Sequence, residues 1–264
     1  MFKNVKIREA VSPSLQAACR EHLAKDPVSN VLLLGDLYAP LLRVSTIHVA
    51  TEDSRIVGVC SIYRAFSTPS IVFQAATLEI KQALIEKALG EVPSEFISLC
   101  QPEEIDLFKK RSVILQHRPE QHMVASPPKS VGFNGFEVAR VKENELELLN
   151  RFYVEHRSEA WTPIQFEAGP YYCVKQEGKI VSAAGVHVVA PQIAQLGNIV
   201  TDEAFRNRGF ATACTSVLSA DLASDGRIVG LFVRVENAPA IHMYEQLGFV
   251  KKRDVAFLFM RKKP

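Results

Sequence analysis

The sequence predicts an α/β protein made of two halves, each with a central mixed, mostly antiparallel sheet flanked by helices. Three observations support this prediction. Segments with strand-like alternation are repeatedly followed by segments with the apolar spacing of a helix. A proline-containing stretch at Ser126–Ser130 divides the 264 residues almost in half. Two strands joined by a short polar turn are indicated at 47–65 and again at 172–189, which points to an internal repeat.

The proline-containing stretch also predicts the domain boundaries. We expect an N-terminal domain over residues 1–125, a linker over residues 126–135 and a second domain over residues 136–264. Domains of this size can bury a core without disulfides or metals to stabilise them. The chain is 47% hydrophobic and 23% charged, which is typical of a globular protein and excludes a disordered or fibrous chain.

Charge and cysteine content exclude several classes of partner. The 31 basic and 29 acidic residues give a net charge of +2, which argues against nucleic acid as a partner. The five cysteines are odd in number and form no Cys-x-x-Cys pair, which argues against a disulfide framework and against a metal site. Without an apolar run as long as a signal peptide or a membrane span, we expect a cytoplasmic protein with no membrane partner. The sequence leaves monomer and homodimer open.

The C-terminal half has a clear order of predicted elements. They are strands at 136–141, 171–175, 180–189, 195–200, 227–235 and 255–260, and helices at 143–155, at 211–223 and after Asn237. Gly226 and Gly248 follow helices, where glycine suits the turn that ends them. The N-terminal half has a weaker version of the same rhythm. Its predicted elements are strands at 47–51, 56–65, 71–75 and 96–100 and helices at 78–89 and 102–110.

The most informative stretch is the loop Arg206–Gly209, which follows a strand and opens a helix. Gly209 lets the backbone approach a ligand closely. The N–H groups from Arg208 to Thr212 fall in the first helical turn, where they lack intrahelical partners and lie at the positive end of the helix dipole. Two arginines add positive charge. The loop is therefore either a diphosphate site or an ordinary basic loop before a helix.

The context of this loop resembles the GNAT superfamily of N-acetyltransferases. Arg206–Ala211 is similar to the family's Arg/Gln-x-x-Gly-x-Gly/Ala coenzyme A loop. Asn237–Phe249 is similar to a second motif, in which an Asn, a later Tyr and a closing Gly-Phe recur. The resemblance covers about residues 140–260 and looks closest to the glycine N-acyltransferase-like branch. It implies tandem GNAT-like domains: a catalytic C-terminal one and a degenerate N-terminal one that has lost the loop.

The resemblance also implies roles for individual residues. Tyr244 would be the general acid toward the leaving coenzyme A thiolate, although a half-buried aromatic on an amphipathic helix is the simpler interpretation. Asn237 would cap its helix and contact the pantetheine arm. The strand end at 199–201 would pair with that arm and supply an N–H to the oxyanion. The implied coenzyme-binding residues are Ile199, Val200, Thr201, Arg206, Asn207, Arg208, Gly209, Phe210, Ala211, Thr212, Asn237 and Tyr244.

No residue is an obvious base for the attacking amine. His187 on a central strand and Glu167 before the strand at 171 are candidates, and Glu203 is a weaker one on the phosphate side. Each also has a simpler interpretation, as a sheet-face histidine or a solvated carboxylate. Asn198 lies on the strand where some relatives in the family hold a catalytic carboxylate, and its neutrality argues against a base at that place.

These observations predict an acyl-CoA-dependent N-acyltransferase. Acetyl-CoA, or another acyl-CoA, would be the co-substrate, and the acetyl group would pass directly to the amine of a small molecule or a peptide. The alternative is a non-catalytic acyl-CoA-binding sensor or interaction protein. Turnover with an amine distinguishes the two, because a sensor binds the coenzyme and releases no thiol.

Overall fold

The computed structural model describes residues 5–263, which form two compact units. The first unit runs to Glu120 and also includes the residues from Asp254 onward, whereas the second unit is Gln121–Arg253. These units differ from the predicted domains, because the chain returns to the first unit near its C-terminus. The predicted linker, residues 126–135, lies inside the second unit and forms neither helix nor strand.

The first unit combines strands with four helices. Its elements are β1 (Val5–Glu9), α1 (Pro13–Leu23), α2 (Val31–Asp36), a 3₁₀ turn (Leu41–Val44), β2 (Ser45–Glu52), β3 (Arg55–Tyr63), β4 (Ser70–Ala75), α3 (Leu78–Leu89), β5 (Glu95–Cys100), a second 3₁₀ turn (Pro102–Glu104) and α4 (Ile105–Lys109). The long strand β6 (Ser112–Ala125) begins in this unit and ends in the second.

The sheet of the first unit is mixed. Antiparallel pairs join β1 to β2, β2 to β3 and β3 to β4, and a short parallel pair joins β4 to β5. The helix α3 covers this sheet with a fully buried apolar face that includes Leu84 and Ile85. Each such side chain contributes about 1.5–3 kcal/mol on burial. The core is completed by Phe96 and Phe108.

The second unit repeats this arrangement. Its elements are β7 (Ala139–Arg140), a 3₁₀ turn (Glu143–Glu145), α5 (Leu146–Glu155), α6 (Ile164–Ala168), β8 (Tyr172–Gln176), β9 (Lys179–Val189), β10 (Ile193–Thr201), a 3₁₀ turn (Glu203–Phe205), α7 (Phe210–Ser224), β11 (Ile228–Arg234) and α8 (Ala238–Gln246). The last strand, β12 (Val250–Lys262), begins in this unit, and its C-terminal part pairs antiparallel with β5 of the first.

Antiparallel pairs in the second unit join β7 to β8, β8 to β9 and β9 to β10, while β10 and β11 are parallel. Its core contains α7 and α5 side chains such as Cys214, Leu218 and Phe152. The predicted fold class, an α/β protein with mixed sheets flanked by helices, is confirmed. The strand predicted at 136–141 is shorter than expected, because only Ala139 and Arg140 pair with β8.

One charged side chain lies inside the first unit. Asp36, at the end of α2, is 5% exposed, and the hydroxyl of Ser61 on β3 donates a hydrogen bond of 2.6 Å to its carboxylate. Burial raises the pKa of the Asp36 carboxyl from 3.8 to about 7, which the hydrogen bond from Ser61 only partly opposes. The folded state therefore holds this proton far more tightly than the unfolded chain does.

This pKa predicts that the first unit loses stability as the pH rises. Between about pH 4 and 7 the folded state retains a proton that the unfolded state releases, so the stability falls by about 1.4 kcal/mol per pH unit. The variant Asp36→Asn cannot ionise. We expect its unfolding free energy, relative to the wild type, to rise by about 2–3 kcal/mol between pH 5 and pH 8, measured by urea unfolding.

A second variant gives the control for this experiment. Ser61→Ala removes the hydrogen bond that favours the charged carboxylate, so the pH at which stability stops falling should move upward. A constant difference between the wild type and Asp36→Asn at every pH would contradict the prediction.

Candidate active site

The loop before α7 has a backbone shaped by two residues in the left-handed region. Asn207 has φ 61° and Gly209 has φ 78°, a region that glycine and asparagine adopt most readily. The side chain of Asp202 accepts a hydrogen bond from the N–H of Ala204 and starts the 3₁₀ turn that precedes the loop. The chain then turns sharply into α7, with Gly209 as its N-cap.

The first turn of α7 is open to a ligand. Gly209 supplies no side-chain cap, and the turn contains no acidic residue. A Cβ built on Gly209 would meet no other atom within 4 Å, so the backbone here faces free space. The N–H groups at the start of a helix have no intrahelical partner and attract anions. This geometry provides an anion cradle.

Two exposed arginines flank the cradle. Arg206 contacts Glu203 at 3.1 Å, and its side chain is 59% exposed. Arg208 donates a hydrogen bond to the carbonyl of Ala204, and its guanidinium lies 5.0 Å from the centre of the Phe205 ring. Both side chains can turn toward an anion, because their present contacts are solvent-exposed and weak.

The strands β10 and β11 separate beside the cradle. Their parallel pairing runs from Ile193 opposite Ile228 to Leu196 opposite Leu231. Beyond this point, within residues 5–263, the last five residues of β10 have no pairing register with β11, although β10 stays paired with β9 as far as Thr201. An extended ligand can therefore add to the free edge at 197–201 as a strand would.

A bulge interrupts β10 at this edge. Gly197 pairs with Gly185 and Val200 pairs with Ala183, so two residues of β10, Asn198 and Ile199, face a single residue of β9. Asn198 adopts φ 53°, which reorients the backbone locally.

Tyr244 projects from α8 into apolar surroundings. It is 6% exposed, and its ring packs edge-to-face against Phe249 with centroids 5.9 Å apart. No hydrogen bond to its hydroxyl occurs among the described residues. Burial raises the pKa of Tyr244 well above its usual value, so the phenol keeps its proton. The side chain of Asn237 caps the same helix by accepting a hydrogen bond of 3.3 Å from the N–H of Ala240.

Comparisons with known proteins show what this chain is similar to. The sequence model of the family described as FR47-like protein matches residues 175–258, which span β8 to most of β12. A GNAT-family putative acetyltransferase from Novosphingobium aromaticivorans has a similar structure (TM-score 0.61, 20% identity), over 78% of this chain and 89% of its own. The chain therefore has a fold similar to that of GNAT-family acetyltransferases.

Two further structures match this chain along nearly its whole length. A Drosophila protein has a TM-score of 0.71 and 12% identity, with 98% of each chain covered. A tandem GNAT protein from the clavulanic acid biosynthesis pathway has a TM-score of 0.63 and 13% identity, with 98% of this chain and 99% of its own covered. The tandem arrangement implied by the sequence is therefore confirmed at the level of the fold. A search of curated protein sequences found no match.

The three candidate bases have different surroundings. Glu203 contacts Arg206 beside the anion cradle, and Glu167 is exposed on α6. His187 lies on β9 with its ring over Gly197, where an added Cβ would be 2.1 Å from Nε2. Burial lowers the pKa of His187 to about 4, and a hydrogen bond with Asn198 partly opposes this shift. His187 is therefore a neutral imidazole at pH 7.

A buried polar network surrounds the bulge, and the sequence analysis did not predict it. The side-chain nitrogen of Asn198 donates to Gln165 Oε1 at 2.9 Å and to the Tyr171 hydroxyl at 3.3 Å. Its side-chain oxygen accepts from the Ser158 hydroxyl at 3.2 Å, and its backbone carbonyl accepts from the Tyr153 hydroxyl at 2.7 Å. The network ties α5, α6 and Tyr171, the residue before β8, to the bulge.

Residues 5–263 contain neither a cluster of metal-ligating side chains nor a helix that could span a membrane. No group of three or more His, Cys, Asp or Glu side chains is arranged to hold a metal ion. None of the helices in this part of the chain has both the length and the apolar character needed to cross a membrane.

Proposed function

We propose that the second unit binds acetyl-CoA, or another acyl-CoA, and transfers the acyl group directly to an amine. The observation that carries this proposal is the presence of three features in one unit: the uncapped first turn of α7, the free edge of β10 and the unpartnered hydroxyl of Tyr244. The diphosphate would bind the N–H groups from Arg208 to Thr212, with Arg206 adding charge. The pantetheine arm would lie between β10 and β11 and contact Asn237.

The chemistry would take place beside the β10 bulge. The amine nitrogen attacks the thioester carbon and loses a proton to Nε2 of His187. A backbone N–H of β10 at Ile199 donates to the oxyanion that forms. When the C–S bond breaks, the phenol of Tyr244 gives its proton to the departing sulfur, and the amide is released. His187 and Tyr244 then exchange their protons with solvent.

His187 is a better candidate for the base than Glu167 or Glu203. Its Nε2 is buried and has no hydrogen-bond partner among the described residues, as expected for an atom that awaits a substrate proton. Its ring is neutral at pH 7 because burial lowers its pKa to about 4. Glu167 is two residues beyond Gln165 on α6, but its own side chain is exposed.

The first unit would bind no coenzyme. The hydroxyl of Thr77 caps α3 by accepting from the N–H of Ile80 at 3.3 Å, and Glu79 places a negative charge in the same turn. Both features oppose an anion. Tyr244 follows Asn237, the N-cap residue of α8, by the same number of residues as Phe108 follows Gln101, the N-cap residue of the corresponding segment in the first unit. Phe108 has no acidic proton. Phe108 packs instead against Phe96.

We expect one acetyl-CoA to bind per chain. Isothermal titration calorimetry on the full-length protein measures this stoichiometry, and a thiol-release assay with a panel of small amines and peptides then measures turnover. Binding with turnover supports the enzyme. If the protein binds acetyl-CoA but releases no coenzyme A thiol with any of the amines, the result supports the alternative, a non-catalytic acyl-CoA sensor. Two equivalents per chain would show that the first unit also binds coenzyme.

A further inference from the structure

We propose that Asn198 is a positioning residue that fixes the tautomer and the orientation of His187. This proposal rests on the proposed function, in which His187 accepts the proton of the amine. It goes beyond it by assigning a role to the polar network at the β10 bulge. Some relatives in the family that the sequence resembles hold a catalytic carboxylate on this strand, and the resemblance gave no role to a neutral residue there.

The hydrogen-bond inventory of Asn198 determines which of its atoms faces the imidazole. A side-chain amide nitrogen has two hydrogens. Both are already used by Asn198, one toward Gln165 Oε1 and one toward the Tyr171 hydroxyl. The hydrogen bond between Asn198 and His187 must therefore be accepted by the amide oxygen, which has two lone pairs and also accepts from Ser158.

This assignment fixes the state of the imidazole. His187 Nε2 has no hydrogen-bond partner among the described residues, so Nδ1 is the nitrogen that donates to Asn198. In a neutral imidazole, only one nitrogen carries the proton. Nε2 therefore presents a bare lone pair, which is the form that a base needs. Gln165 and Tyr171 in turn hold the Asn198 amide in place, so its oxygen cannot rotate away.

The backbone supports the same role. Asn198 has φ 53°, which asparagine, aspartate and glycine tolerate better than other residues. The conformation places the side chain within the network, while the Tyr153 hydroxyl holds the Asn198 carbonyl at 2.7 Å. Because Gly197 has no side chain, the imidazole of His187 packs directly against its backbone. The ring is therefore held by Asn198 and by Gly197 together.

Two variants at this position separate the side chain from the backbone. Asn198→Gly keeps a residue that accepts a positive φ but removes the amide oxygen. Asn198→Asp keeps both the backbone preference and an oxygen that accepts from Nδ1. Each is compared with the wild type and with His187→Gln for acetyl-CoA affinity, for kcat and KM with the best amine, and for the tautomer of His187. Long-range proton–nitrogen NMR reads the tautomer, and His187→Gln identifies its signals among the seven histidines.

We expect the wild type and Asn198→Asp to show the Nδ1–H tautomer, and Asn198→Gly to show a mixture of the two tautomers. In Asn198→Gly, kcat should fall by about 10–100-fold, the usual cost of losing a group that orients a functional imidazole. Acetyl-CoA affinity should not change, and Asn198→Asp should recover most of kcat. Asn198→Gly with wild-type tautomer and kcat would overturn the proposal.

The introduced carboxylate could itself act as a base, and one further variant tests this. In the double variant His187→Gln/Asn198→Asp, activity should stay as low as in His187→Gln alone. Activity equal to that of Asn198→Asp would assign the base to position 198 and overturn the positioning role. A His187→Gln variant with wild-type kcat would refute His187 as the base, and with it the role of Asn198.

The absence of any acetyl-CoA binding or turnover would instead refute the proposed function as a whole. Even then, the NMR experiment still tests the contact between Asn198 and His187, and a mixture of tautomers in the wild type would overturn that contact.

Discussion

Replacing Gly209 with aspartate is expected to remove acetyl-CoA binding while the fold survives. The position faces free space, and an added Cβ meets no other atom within 4 Å. It would, however, place a carboxylate at the first turn of α7, where the diphosphate is proposed to bind. Two like charges about 4 Å apart near a protein surface repel by about 4 kcal/mol, which salt reduces. We therefore expect an affinity loss of about 100-fold or more.

An isosteric variant separates charge from backbone strain. Gly209 has φ 78°, which disfavours most side chains, but asparagine adopts this region more readily than most. Gly209→Asn has nearly the size of Gly209→Asp and no charge, so it should retain much more affinity in calorimetry. Circular dichroism and the unfolding midpoint serve as controls for folding. Wild-type affinity in Gly209→Asp would place the diphosphate elsewhere and remove the main support for the proposed function.

The anion cradle could be predicted from sequence because its features are local. The loop, its glycine and the following helix are contiguous, and the relevant atoms are backbone N–H groups whose placement follows from the helix start. Gly209 adopts φ 78°, a region that favours glycine. The absence of such a cradle at α3 of the first unit could be predicted in the same way, because neither glycine nor arginine directly precedes that helix.

The polar network at the bulge could not be predicted in the same way. Its members, Tyr153, Ser158, Gln165, Tyr171 and Asn198, come from separate elements and meet only after α5 and α6 pack on the sheet. Each residue type is common in strands and loops, and no spacing pattern connects them. The one local signal was Asn198 itself. Asparagine is uncommon in strands and adopts the left-handed region readily, so an asparagine within a strand can indicate a bulge.

The pairing partner of the last strand could not be predicted from the sequence either. The apolar residues of β12 predicted a strand at 255–260, but a strand pattern does not specify its partner. In the structure Ala256 pairs with Cys100 and Met260 with Phe96, which assigns the end of the chain to the first unit. The domain boundary at 126–135 was chosen from turn-forming residues, which mark a break in secondary structure rather than in packing.

Replacing Tyr244 with phenylalanine is expected to lower the rate of acyl transfer by about 10²–10⁴-fold, the usual size of a general acid contribution. The ring would keep its edge-to-face packing on Phe249, so stability and acetyl-CoA affinity should change little. The hydroxyl has no described partner whose loss would disturb the fold. The same apolar surroundings that raise the pKa of Tyr244 also penalise an exposed thiolate, which makes proton transfer to the leaving sulfur valuable.

A second tyrosine supplies the matched control. Tyr172 lies in the same unit, and its hydroxyl donates to Asp221 at 3.0 Å, away from the proposed chemistry. Tyr172→Phe should therefore keep the wild-type rate. Loss of folding or of coenzyme affinity in Tyr244→Phe would assign this residue to packing, as its burial alone would suggest.

Steady-state kinetics alone cannot test the acid, because product release limits many enzymes and would mask a slower chemical step. The decisive measurement is a single-turnover experiment, in which protein saturated with acetyl-CoA is mixed with the best amine and quenched at short times. If the hydroxyl of Tyr244 protonates the sulfur, it acts in the transition state rather than in the ground state, so the single-turnover rate falls although affinity does not. A single-turnover rate in Tyr244→Phe equal to that of Tyr172→Phe would show that water or another group protonates the thiolate.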